Sequence, residues 1–214
     1  MKKILMGIGG LIAVLLIVLA VLVFISPTDF KVERDVVINK PKAEVFEYLK
    51  FVKNQNEWGP WMQRDPKIKM SYTGTDGEVG FISKWESDHE DVGTGEQEIK
   101  KIVDGERVDV ELRFIKPWEA TNKGFLITED AGEGKTKVRW GFSGTMNRPM
   151  NLMLVFTDFE ALVGKDFEEG LDKLKSIVEK QASPEAEKES TDEDGKKEVE
   201  KTDDAGKKTV APQG

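Results

Sequence analysis

The sequence has no cysteine and one histidine, His89. Without thiols there is no disulfide framework, no thiolate metal site and no cysteine nucleophile. A single imidazole argues against a Ser/His/Asp triad and against a multi-histidine zinc site. His89 lies in the turn Ser87-Asp88-His89-Glu90-Asp91, whose charged neighbours mark a solvated hairpin tip rather than a general base or a calcium loop. Positive charge is also in deficit: the net charge is −8 and no basic patch stands out, which excludes a general nucleic-acid binder. Lack of cysteine suits oxidising and reducing compartments alike, so it leaves location open.

Charge and proline are both missing from Ile4 to Ile25. Roughly 20 apolar residues at ~1.5 Å each cross the ~30 Å hydrocarbon layer of a bilayer. A cleaved signal peptide is the competing reading. The apolar run exceeds the usual ~7–15 residues, and no small-x-small cleavage site follows, since Phe24 occupies a recognition position. Residues 1–27 are therefore expected to form an uncleaved, single-pass anchor. Lys2 and Lys3 place the N-terminus in the cytoplasm and the rest of the chain on the extracytoplasmic side, periplasmic or cell-surface. At the other end, Ser183 to Gly214 carries almost no aliphatic side chain and cannot offset chain entropy, so residues 182–214 are expected to be a disordered charged tail. One domain of roughly 150 residues remains, 28–181, large enough for a single core.

Within it, Phe30, Val32, Val36 and Ile38 alternate with polar residues as a first strand, while Arg34 interrupts the apolar row. Asn39 and Pro41 signal the start of a short helix with Val45, Phe46 and Leu49 on its buried side. The run Asn54 to Trp61 predicts a second short helix or turn, stopped by Asp65-Pro66. Strand-like runs follow, among them Ile68–Tyr72, Phe81–Trp85, Gly93–Val103, Val108–Phe114, Phe125–Ile127 and Val138–Phe142, separated by short turns. One-faced alternation of this kind predicts an antiparallel meander, curved by bulges or bends at Gly93, Gly95 and Gly124. From about Met150 to Lys180, the residues Leu152, Phe156, Phe159, Val163, Phe167, Leu171, Leu174 and Val178 recur three or four apart, as one apolar helical stripe. Gly164 offers a point where that helix could kink.

The expected fold is α+β: a curved antiparallel sheet of about seven strands wrapped around a long C-terminal helix, with two short helices after the first strand. One helix across a curved sheet fills only part of the concavity, which predicts an apolar pocket. Its sheet wall is expected to include Phe81, Trp85, Leu112 and Phe114, then Phe125, Trp140 and Phe142, with Tyr72 among the few inward polar groups. Trp58 and Trp61 would close one end. Phe167 and Gly170 would contribute from the helix, Gly170 serving either close packing against a strand or headroom for a ligand.

Particular residues add a resemblance. Phe30-Lys31-Val32-Glu33-Arg34, Val37-Ile38-Asn39-Lys40-Pro41 with Val45-Phe46, Trp58-Gly59-Pro60-Trp61, Phe114-Ile115-Lys116-Pro117 and Asp166–Leu171 together resemble the START/polyketide-cyclase-like (SRPBCC) superfamily, in particular its bacterial members with one N-terminal membrane span. The resemblance covers roughly Phe30 to Val178. It implies the helix-grip fold and the binding of lipids or other apolar small molecules, and brings no catalytic set with it.

Inward positions carry almost no ionisable group, so acid-base chemistry has little to work with. The leading expectation is a membrane-anchored, non-catalytic binder of a hydrophobic small molecule or lipid, with no cofactor, metal or nucleic-acid partner. Two alternatives stand beside it. One is a cyclase- or dehydratase-type enzyme using Tyr72, Arg34 or Glu119; the other is an interaction module acting through the tail or the Trp58–Trp61 edge. Gly134-Lys135-Thr136 mimics the end of a phosphate loop, but Glu129 stands where the first glycine belongs and the run sits in a hairpin turn; Gly141–Gly144 is one residue short of a nucleophile elbow, and Asp192–Gly195 lacks the spacing of a calcium loop.

Overall fold

The computed structural model describes residues 2–181; the charged tail expected at 182–214 lies outside them. Helix α1 (Lys2–Ile25) comes first and has no buried residue. Strand β1 (Asp29–Ile38) leads into three short helices, α2 (Lys42–Leu49), α3 (Gln55–Trp58) and α4 (Pro60–Arg64), where two were expected. Then come β2 (Lys69–Thr73), β3 (Ile82–Glu86), β4 (Thr94–Val103), β5 (Arg107–Lys116), β6 (Ala120–Asp130) and β7 (Thr136–Thr145). Short α5 (Met153–Phe156) and long α6 (Phe159–Lys180) complete the described chain.

The seven strands form one antiparallel sheet in the order β1-β7-β6-β5-β4-β3-β2. Strands β2 to β7 are the expected meander, and β1 closes onto β7 from Asp29↔Thr145 to Ile38↔Thr136. Register shifts at Thr94/Gly95 and Ile99/Lys101 bend β4, because an extra residue on one strand locally increases twist. The outer face is charged: Arg113 on β5 donates to Glu98 at 2.8 Å, to Glu96 at 2.7 Å and to Glu111 at 2.5 Å.

Two buried clusters fill part of the concave side. One joins Ile38, Leu49, Trp58 and Val138 to Leu171, Leu174 and Val178 of α6. The other joins Phe46 and Val52 to Phe81, Ile99, Val108 and Val110. Both lie under α2 and the turn that follows it. The N-terminal half of α6 belongs to neither cluster, except through what it shares with the cavity described below.

Three sequence expectations are corrected here. Asn39 does not cap α2; its backbone N–H and Nδ2 both donate to Glu179 Oε1 at 2.7 Å, fastening the far end of α6 to the end of β1. The C-terminal helix does not start near Met150. Thr157 is extended, and Asp158 accepts the Ala161 N–H at 3.0 Å, so an aspartate cap begins a new helix there. Phe156, expected on the buried stripe, is consequently 67% exposed. Finally, α6 runs without interruption through Gly164. Arg34 lies across that glycine, with Nε donating to Glu168 Oε1 at 2.6 Å and Nη1 to Glu160 Oε1. Arg34 is thus neither a cavity group nor free at a sheet edge; it clamps the helix to β1.

This clamp makes Gly164 an exception to the usual gain on replacing a helical glycine, roughly 1 kcal/mol for alanine. A Cβ at Gly164 would collide with the Arg34 guanidinium. Gly164→Ala should therefore be more favourable in an Arg34→Met background than in the unsubstituted chain, with a coupling of about 1 kcal/mol in thermal unfolding of the full chain in detergent. Simple additivity of the two changes would show that the clamp is energetically idle. Arg113 also holds the Glu98 carboxyl below its ordinary value, chiefly by direct hydrogen bonding. A depressed carboxylate stabilises the fold above its unfolded pKa and loses that contribution as pH falls through the folded value. The destabilisation caused by Arg113→Met should accordingly be present at neutral pH and shrink once acid protonates Glu98.

Candidate functional site

The N-terminal half of α6 stands over the sheet without filling the space beneath it. A cavity of about 290 Å³ remains between them. That lies near the lower end of the ~300–1,000 Å³ typical of small-molecule sites.

One end is an aromatic box. Trp140 of β7 stacks on Phe167 of α6 with ring centres 3.9 Å apart and planes 6° off parallel. Trp58 and Trp61 meet Trp140 edge-on at 4.9 and 5.7 Å. The two tryptophans flank Gly59-Pro60, the break between α3 and α4, and this break turns both indoles toward Trp140. Tyr48 donates to Glu57 at 3.0 Å and so holds α3 against α2. Burial, reinforced by that carboxylate, pushes the Tyr48 phenol pKa up, so it remains a donor. Arg64 pairs with Asp166 and ties α4 to α6.

The opposite wall is a file of aromatic rings. Trp85 of β3 meets Phe114 of β5 at 5.9 Å, and Phe114 meets Phe142 of β7 at 6.3 Å. Phe30 continues the file, 5.2 Å from Phe142 and 4.9 Å from Phe159 at the start of α6. Leu112, Val163 and Met70 belong to the apolar lining, with Met62, Val108, Val110 and Leu126. Gly124 faces inward between Val110 and Leu112, where a Cβ would come within 2.9 Å of both side chains. Its missing side chain thus keeps the floor of the cavity low.

Few polar groups reach this space, and most are spent on one another. Gln97 Nε2 donates to Gln55 Oε1 at 2.9 Å, Asn56 Nδ2 to the Tyr72 hydroxyl at 2.7 Å, and Trp85 Nε1 to the Val92 carbonyl at 3.3 Å. Trp58 Nε1 is buried with no protein partner. Of the residues lining the cavity, Asp91 alone is ionisable, and it is exposed in the β3–β4 loop. No cluster of histidine, aspartate or glutamate able to hold a metal occurs among the described residues.

The structure brings together Trp58, Trp61, Trp85, Leu112, Phe114, Trp140, Phe142 and Phe167 around the cavity. Three other expected lining residues lie elsewhere, and a fourth, Phe125, borders the cavity without turning its ring into it. Phe81 is buried in the cluster under α2. Tyr72 stacks on Phe81 at the short edge strand and does not line the cavity. Gly170 gives close packing rather than headroom: a Cβ would lie 2.9 Å from Trp140 and 3.2 Å from Pro60. Phe125 belongs to the β6 wall, but its ring is on the outer face, 4.7 Å from the Arg107 guanidinium and 6.0 Å from Lys31 Nζ. The inward phase of β6 is Asn122, Gly124, Leu126 and Thr128, set by the register Val110↔Gly124 with β5. Both phases of β6 hold large apolar residues, so alternation alone favoured the wrong one. His89 is an exposed loop residue that accepts the Asp91 N–H, and Glu119 is exposed beyond the end of β5, away from the cavity. The close contacts of Gly170 predict that Gly170→Ala costs about 1–3 kcal/mol, measured as a lowered unfolding temperature, because the Trp140–Phe167 stack must shift.

A family model described as polyketide cyclase/dehydrase and lipid transport matches residues 29–179. No curated protein is a match. Among solved structures, the chain is similar to truncated norcoclaurine synthase from Thalictrum flavum, with 11% identity, 74% of this chain and 98% of that one covered, and a TM-score of 0.54. It is similar to the Aha1 dimer from Colwellia psychrerythraea at 17% identity, covering 72% and 99%, with a TM-score of 0.50. Ara h 8.0201 resembles it at 18% identity, covering 70% and 97%, again with a TM-score of 0.50. At these identities the structures speak for the helix-grip fold alone, whereas the family model covers nearly the whole sheet-and-helix domain. The chain belongs to the polyketide cyclase/dehydrase and lipid transport family.

Proposed function

We propose that this protein is a membrane-tethered, non-catalytic binder of a hydrophobic small molecule or lipid, held between the sheet and the N-terminal half of α6. The observation that carries this reading is the cavity lining: predominantly aromatic and aliphatic, with Gln55, Asn56, Ser83 and Gln97 as uncharged polar members and a single, solvated ionisable side chain. Such a surface gains from burying apolar area, at roughly 25 cal/mol per Å², and offers no proton donor or acceptor poised for chemistry. The ligand class thus favoured is an acyl chain or an apolar ring system.

Helix α1 supports the tether. It is 24 residues long, of high mean hydropathy, and long enough to cross a bilayer. Lys2 and Lys3 favour a cytoplasmic N-terminus, which puts the cavity on the extracytoplasmic side. A ligand that partitions into lipid would then be concentrated beside its binding site.

Cyclase or dehydrase chemistry would require an acid or base at the ligand. Tyr72, Arg34 and Glu119 are engaged or placed elsewhere, so substitution at Tyr72 or Glu119 discriminates between the readings. The full chain, extracted in mild detergent, should carry a co-purified lipid or similar molecule in native mass spectrometry. Leu112→Trp, which fills the cavity, should weaken binding of a fluorescent fatty acid by about tenfold or more, or roughly 1.4 kcal/mol. Tyr72→Phe and Glu119→Gln should leave that affinity unchanged. An empty chain that also ignores a panel of lipids overturns the binder; turnover of an apolar substrate lost in either conservative variant overturns its non-catalytic character.

A further inference from the structure

The chain between β7 and α6 combines three features that the cavity does not explain. Pro149 to Thr157 contains no ionisable residue. Its large side chains are turned to solvent: Met150, Met153, Val155 and Phe156 are all exposed, and α5 has no buried residue. It is also fastened to the end of α1. Arg148 Nε and Nη2 donate to the carbonyls of Val23 and Phe24 at 3.1 and 3.2 Å, and the fully buried Asn151 donates through Nδ2 to Val23 O at 2.9 Å. These carbonyls belong to the last turn of α1, which has no intrahelical donors for them, and a cation there also complements the helix dipole.

The bonds fix the level of the segment. If α1 crosses the hydrocarbon, its final turn lies at the boundary between acyl chains and headgroups, and Met150–Phe156 is held at that same depth. The strand register adds Trp118, in the β5–β6 turn, to the same end of the sheet, since Asp29, Thr145 and the end of β5 are aligned there. Trp118 is 69% exposed, and tryptophan prefers this boundary layer. A groove formed by Pro27, Asp29, Phe30, Lys31 and residues 154–160, with charged groups along its outer rim, runs beside the segment, and Phe159 lines both this groove and the cavity.

We propose that Met150–Phe156 is seated in the interfacial layer of the bilayer next to α1, and that apolar ligands pass between that leaflet and the cavity at Phe159. The proposal rests on the membrane-tethered binding reading given above and adds the route. The partner is the lipid surface itself, recognised by exposed thioether, aliphatic and aromatic side chains without a charge requirement.

Because the chain has no cysteine, each introduced one is a unique labelling point. Met153→Cys, Phe156→Cys, Leu15→Cys and Val79→Cys, each in the full chain, would carry a nitroxide in phosphatidylcholine vesicles. Collision with dissolved oxygen against a water-soluble nickel chelate then reports depth. The labels at 153 and 156 should be shielded from the chelate, the label at 15 more deeply so, and the label at 79 fully accessible. Chelate access at 153 and 156 with shielding at 15 overturns the interfacial seat and leaves the anchor standing; access at 15 removes the anchor and the seat together. In a second measurement, Met153→Asp/Phe156→Asp should slow uptake of a pyrene-labelled fatty acid from vesicles by about tenfold, while its affinity for the same probe in aqueous solution is unchanged. Equal uptake rates overturn the route, and failure of the unsubstituted chain to take up the probe overturns both the route and the cavity as a binding site.

Discussion

Helix α6 is held to the sheet and to α4 at discrete points rather than along its whole inner face. Arg34 grips it at Glu160 and Glu168, Arg64 at Asp166, and Asn39 at Glu179. Only the half from Phe167 onward is embedded in the core, through Leu171, Leu174 and Val178. The other half meets the sheet through the Phe159–Phe30 ring contact and through polar contacts to its flanks. An apolar core normally closes every gap because each lost contact costs dispersion and hydration energy. Here the ion pairs lie along the flank of the helix, the stacked Trp140 and Phe167 form an end wall, and the remaining space is the cavity.

That arrangement makes one helical stripe serve two purposes. Leu171, Leu174 and Val178 stabilise the domain, whereas Phe159 and Val163, continuing the same stripe, line a site. The two glycines mark the division: Gly164 seats the clamp, and Gly170 lets Trp140 lie against the helix. Polar side chains near the site are consumed in pairs such as Gln55–Gln97, leaving recognition mainly to shape. Selectivity of that kind discriminates by length and bulk more than by functional group.

Much of this was readable from the chain. The period-2 runs announced an antiparallel sheet, the three-and-four spacing of Phe159 to Val178 announced the helix it holds, and large aromatics in phase on β3, β5 and β7 identified most of the cavity wall. What escaped was decided by contacts distant in sequence. The phase of β6 depends on pairing Gly124 with Val110, and its own residues are apolar on both faces. Arg34 looked out of place in an inward row because its partners, Glu160 and Glu168, lie more than a hundred residues away. The break before α6 was available locally in Asp158, a good cap, but the apolar repeat on either side masked it. Phe81 and Tyr72 kept the expected phase yet fall under α2 and at the sheet edge, since alternation gives the face of a residue and not its position along the groove.

The sheet is open: β1 and β2 each have a neighbour on one side only. Unpaired strand edges are templates for polymerisation, and the hazard grows with local density, as when many copies share a two-dimensional surface. The two margins blunt it in different ways. Strand β2 is only five residues long, too short to nucleate a durable ladder. Strand β1 is ten residues long but places Lys31, Glu33 and Asp35 on its outer face, so a second copy approaching in the antiparallel sense would have to accommodate fixed charge along the new seam. The molecule can therefore be packed closely with its own kind without its strands running on from one copy into the next.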